Sequence, residues 1–112
     1  MQYTELGRTG LDVSIIGIGT EHMRGQPRDT VVPTLRAAVE CGVNYFDVIF
    51  AMPENLDHIG EGYRGLLELL LLAAQLGSTD RDGLYYKTRT VRLCDRSIVD
   101  VLKRLGTEYV DV

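Results

Sequence analysis

Strand-like and helix-like stretches alternate along almost the whole chain, and this alternation limits the fold more than any other feature. Tyr3 to Leu6 and Leu11 to Val13 flank Gly7-Arg8-Thr9-Gly10, which predicts a hairpin. Ser14 to Thr20 is an apolar strand whose glycines imply close approach of another backbone or a ligand. Glu21 to Arg28 is a polar loop. Thr30 is the expected N-cap of the first helix, with Pro33 in its first turn and Gly42 as its stop. Val31, Leu35, Ala38 and Val39 recur at helical spacing. Val43 to Val48 is the next strand. Asn55 to about Arg64 is a weaker helix, because Gly60 and Gly62 each cost about 1 kcal/mol relative to Ala.

The run Leu66 to Leu76 favours helix by composition, since it holds Leu, Ala, Glu and Gln and no β-branched residue. The elements on either side require a strand here, so Leu69 to Ala74 is expected as a buried parallel strand. Ser78 to Gly83 is expected as a loop, and Leu84 to Arg92 has no clear period. Asp95 is the expected cap of a last helix. Ile98, Val101, Leu102 and Leu105 form its inner face, Asp100 and Arg104 pair at i,i+4, and Gly106 ends it. Tyr109 to Val112 is a further strand. The order is hairpin, then β-α-β-α-β-α-β, which implies a parallel α/β sheet with right-handed crossovers. A (β/α)8 barrel takes about 250 residues, so the four strands of this 112-residue chain make half of one, a single partial domain.

Twelve Lys and Arg against sixteen Asp and Glu give a net charge of −4, which argues against a nucleic-acid partner that works by phosphate neutralisation. The longest apolar run is far short of the roughly 20 residues of a membrane helix, and no signal-peptide pattern opens the chain. Neither a membrane partner nor secretion is expected. Two cysteines, Cys41 and Cys94, make no disulfide framework, so the cytoplasm is the expected compartment.

Few residues stand out for chemistry. Gly17-Ile18-Gly19-Thr20-Glu21-His22 lacks the third glycine of a dinucleotide fingerprint, so close packing explains these glycines better. Asp47 ends an apolar strand at the edge where βα barrels carry their active sites. A structural role for it, capping a loop or pairing with a cation, is the stronger alternative. His22 and His58 have no partner at metal-ligand spacing, and no metal site is expected. Tyr85 and Tyr86 are adjacent, so they point to opposite faces of an extended segment.

Several stretches resemble the aldo-keto reductase superfamily. Tyr3 to Ser14, YTELGRTGLDVS, is similar to its N-terminal hairpin, and Ile16-Gly17-Ile18-Gly19-Thr20 to its first barrel strand. Ala37 to Asp47, AAVECGVNYFD, resembles the helix and strand that deliver a catalytic Asp. Leu102 to Val112, LKRLGTEYVDV, resembles the helix and strand before the catalytic His. The resemblance implies the N-terminal half of a (β/α)8 TIM barrel with an N-terminal hairpin. It also implies reduction of a small-molecule carbonyl with NADP, with Gly19, Thr20 and Asp47 on the cofactor side.

The family's tetrad is a proton-donating Tyr, a Lys that lowers its pKa, an Asp that holds the Lys, and a substrate-orienting His. Asp47 stands at the Asp position. Met52 stands at the Tyr and Gln75 at the Lys, with Lys87 or Arg89 as a gapped alternative and Tyr85 or Tyr86 as a replacement hydroxyl. The His would lie beyond Val112. The resemblance therefore implies an oxidoreductase fold whose 112 residues are inactive alone. One alternative is a non-catalytic ligand-binding or regulatory relative, and another is a truncated reading frame. Half a barrel also leaves open sheet edges, so self-association is expected.

Overall fold

A computed structural model describes residues 1–48, 52–75, 77–81 and 84–112. Strands β1 (Tyr3–Glu5) and β2 (Asp12–Ser14) pair antiparallel as the expected hairpin. Three strands, β3 (Ile18–Gly19), β4 (Tyr45–Val48) and β5 (Leu71–Ala74), form a parallel sheet in that order. Helices α1 (Arg28–Glu40) and α2 (Pro53–Tyr63) connect them, and α3 (Val91–Leu105) follows. The molecule measures 39 × 35 × 21 Å, a slab of one sheet layer and one helix layer.

Alternation along β4 separates two environments. Phe46 and Val48 are 0 % and 4 % exposed and join Val31, Leu35, Leu56, Ile59 and Leu105 in the core beneath the helices. Tyr45 and Asp47 point the other way and are half-buried, lining a cavity of about 370 Å³ on the concave face. The hairpin closes the far end of the sheet. Asn44, just before β4, accepts from Ser14 N–H at 2.7 Å through Oδ1 and donates to the Asp12 carbonyl at 2.8 Å. Tyr3 Oη donates to the Gly42 carbonyl at 2.8 Å.

Several expected boundaries move. The strand expected over Ser14 to Thr20 is reduced to Ile18–Gly19, because Ile15 N–H bonds Gln2 and Ser14 Oγ bonds the Ile16 carbonyl. Glu21–Met23 is a 3-10 turn within the expected loop. Pro27, not Thr30, is the N-cap of α1, and Pro33 lies inside the helix. Pro33 leaves the carbonyl of Asp29 without its helical donor, at a residue that is exposed. Val43 donates to the Ala38 carbonyl at the end of α1, which delays β4 to Tyr45.

The leucine run also divides: Leu67–Leu69 is a 3-10 turn, and only Leu71–Ala74 is strand. Leu69 is 61 % exposed, not in mid-sheet. Leu76, at the end of the run, lies outside the described residues. The expected loop from Ser78 is instead strand β6 (Ser78–Arg81), antiparallel to β7 (Leu84–Lys87). Thr90, not Asp95, is the N-cap of α3, while Gly106 ends it in a left-handed conformation at φ 74°. Tyr109 to Val112 is not a strand. Asp111 and Val112 N–H groups bond the Leu72 carbonyl, but the Asp111 carboxylate takes the Leu72 N–H, where a strand would offer a backbone carbonyl.

Candidate functional site at the C-terminal edge of the sheet

The sheet register brings Gly19, Asp47 and Ala73 into one row. Gly19 is exposed, and a Cβ there would meet nothing within 4 Å. The expected close approach is found at Gly17 instead, where a Cβ would lie 2.9 Å from the ring of Tyr45. Asp47 Oδ1 is buried and has no hydrogen-bond partner. Its backbone carbonyl accepts from Thr20 twice, from N–H at 3.0 Å and from Oγ1 at 3.1 Å. Thr20 is therefore 1 % exposed with its hydroxyl already engaged.

Met52 is the N-cap of α2. Its Sδ lies 2.9 Å from Arg24 Nε, which donates to it. Nothing in the sequence pattern pointed to Arg24, which sits in a loop. Gln75 follows β5 directly and is exposed. Lys87 closes β7, with Arg89 just beyond; both are exposed, as is Tyr86. The Tyr85 side chain lies outside the described residues. Ile49 to Ala51, between Asp47 and Met52, also lie outside them.

His22 is exposed, whereas His58 is half-buried and its Nδ1 is buried without a partner. Asn55 Oδ1 and Tyr63 Oη share that condition. Burial pushes the Tyr63 hydroxyl pKa well above the ordinary tyrosine value. Cys41 and Cys94 are free thiols. Among the described residues, no three His, Cys, Asp or Glu are placed to hold a metal ion, and no helix is long and apolar enough to cross a membrane.

Solved structures and curated relatives show what the chain is similar to. An aldo-keto reductase structure from Pseudomonas aeruginosa superimposes with a TM-score of 0.82 at 31 % identity, over 96 % of this chain and 44 % of that one. The chain is related to the aldo-keto reductases. A holo aldo-keto reductase from Bacillus halodurans shares the fold, with a TM-score of 0.83 at 23 % identity, over 98 % of this chain and 38 % of its own. The oxidoreductase YqkF of Bacillus subtilis is 26 % identical over all of this chain and 38 % of its own length. L-galactose dehydrogenase of Arabidopsis thaliana is 30 % identical over 96 % of this chain and 35 % of its own. No family model matches.

The chain thus spans well under half the length of these relatives, and its fold is the N-terminal half of the aldo-keto reductase barrel, hairpin included. The three positions expected on the cofactor side differ in what they leave free. Gly19 leaves open space beside it, and Asp47 offers a buried oxygen still lacking a partner. Thr20 offers no free hydroxyl.

Proposed function

We propose that residues 1–112 form the N-terminal wall of an NAD(P)H-linked carbonyl-reducing barrel, and that these residues do not complete the reaction themselves. Met52 carries this reading. Carbonyl reduction puts a proton on oxygen as hydride reaches carbon, and a positioned general acid contributes about 10²–10⁴-fold. A thioether has no proton to give, and the sulfur of Met52 accepts from Arg24 instead. A nicotinamide cofactor, when bound, would supply the hydride. Asp47 directs its carboxylate toward the concave cavity, where it holds a cation or the nicotinamide side, and Gly19 keeps that approach clear.

The test is NADPH oxidation with a reactive aldehyde, using the 112-residue chain. The expected rate equals that of a boiled control. A rate clearly above control that disappears in Asp47→Asn overturns the proposal. Quenching or enhancement of NADPH fluorescence without turnover would favour the second reading, a non-catalytic ligand-binding relative, which the apolar Met52 side chain supports.

A further inference from the structure

Helix α3 carries a row of cations along its outer face. Arg92, Arg96, Val99 and Lys103 stand at i, i+4, i+7 and i+11, the spacing of one stripe on an α-helix. Val101 and Leu105 fix the opposite, buried face. All four residues of the stripe are exposed, Val99 by 65 %. From Arg92 to Lys103 the row runs about 17 Å. None of its residues lines the cavity that holds Asp47.

Two other helix cations are neutralised. Arg28 bonds Glu61 and Asp29, and Arg104 bonds Asp57 and Asp100. The side chains of Arg92, Arg96 and Lys103 have no hydrogen bond or ion pair among the described residues. Asp100 is four residues from Arg96 as well as from Arg104, and it takes Arg104. Acidic residues outnumber basic ones, sixteen to twelve, so the row is not open for want of acids.

The row also works against its own helix. Positive charge is unfavourable at a helix N-terminus, yet Arg92 lies in the first turn of α3, which holds no acidic residue. Val99 is β-branched, a weaker helix former than Ala or Leu, and its exposure gains no burial. Neither residue is where stability alone would put it.

We propose that this face docks an acidic amphipathic helix of a partner protein. Carboxylates of the partner pair with Arg92, Arg96 and Lys103, and one apolar side chain packs on Val99 and the aliphatic stems of the arginines. The apolar centre favours this occupant over a nucleic acid, whose phosphates find no donor at Val99 and whose dense charge is repelled by the net charge of −4. This docking face is independent of the reductase reading.

The experiment is fluorescence anisotropy of a labelled helical peptide, with three Glu and one Leu at the spacing of the stripe, titrated with the 112-residue chain. A saturable rise is expected, and none with a peptide whose Glu residues are replaced by Gln. Arg96→Glu should weaken binding about tenfold, because it exchanges an attraction for a repulsion. Arg8→Glu, the same change of charge at an exposed hairpin residue, should leave it unaltered. Arg92→Glu should weaken binding as strongly while raising the melting temperature, since it puts an acid at the positive end of the helix. That rise also shows that the variant folds. The proposal is overturned by no saturable binding, by equal binding of the Gln peptide, by an equal loss in Arg8→Glu, or by tighter binding of a labelled DNA duplex than of the peptide.

Discussion

Gly60 of α2 packs directly on the backbone of Arg104 in α3: a Cβ on Gly60 would collide with the Arg104 carbonyl oxygen. Taken as sequence, Gly60 weakens a helix; in the fold it is where two helices meet most closely. Gly62, two residues on, faces α1, where a Cβ would lie 2.8 Å from the flexible end of Leu35.

Gly60→Ala should therefore destabilise the chain by about 2 kcal/mol or more, since backbone cannot move aside and overpacking outweighs the ~1 kcal/mol gain in helix propensity. Gly62→Ala should cost less, because Leu35 can change rotamer. Urea midpoints of the two variants check this. Equal midpoints would show that α2 and α3 separate easily.

Tyr63 is fully buried against Phe46, with ring centroids 5.3 Å apart, and its hydroxyl has no partner. Tyr63→Phe keeps the ring contact and removes the orphan, so it should stabilise by about 1 kcal/mol. Its folded pKa is raised by burial, so the stability linked to the neutral hydroxyl is present below the ordinary value of 10.0 and is lost as pH rises above it. The advantage of the variant should therefore widen above pH 10.0. Chemical denaturation at neutral and alkaline pH measures both effects.

Arg28 joins the start of α1 to Glu61 of α2 and holds the Glu61 carboxyl below its ordinary value. A depressed carboxylate contributes stability above its unfolded pKa of 4.5 and loses it as pH falls through the folded one. Arg28 is exposed and Glu61 only half-buried, so the effect is small and screened by salt. The melting-temperature difference between wild type and Arg28→Gln should be present at pH 7 in low salt and vanish in acid. A difference that persists in strong acid would mean Arg28 acts through packing.

Ile15 and Ile16 are each 57 % exposed beside β3, and Tyr109 is 58 % exposed in the terminal segment. The cavity that Ile15 lines is open to solvent. The 112-residue chain should self-associate at low micromolar concentration, because unpaired strand edges and uncovered apolar groups recruit another chain. Light scattering decides it: a monodisperse 12.5 kDa species with a cooperative melt contradicts the expectation.

Where local pattern and burial agreed, the elements were legible. The hairpin, the β4 strand, α2 and the Gly106 stop all follow from turn glycines and apolar spacing. The β6–β7 hairpin was not legible, because Ser78–Arg81 has no apolar alternation and is joined to its partner by backbone bonds. The pair Asp82-Gly83 between the two strands was the available hairpin signal. The start of α3 was hidden for a related reason. Val91 and Leu93 are exposed, so the first turn shows no core-facing period.

The resemblance implied Met52 at the proton donor's position; the sequence by itself determined the order of βα units and the placing of Asp47 at a strand's C-terminal edge. These are matters of periodicity, strand polarity and side-chain chemistry, which are local. Only the tertiary structure decided that Thr20 gives its hydroxyl to the Asp47 backbone, that Arg24 reaches Met52, and that Asn55 and His58 keep buried atoms without partners. Each depends on which groups meet after distant segments pack together. Hydrogen bonding and burial are properties of that meeting, and no spacing along the chain encodes them.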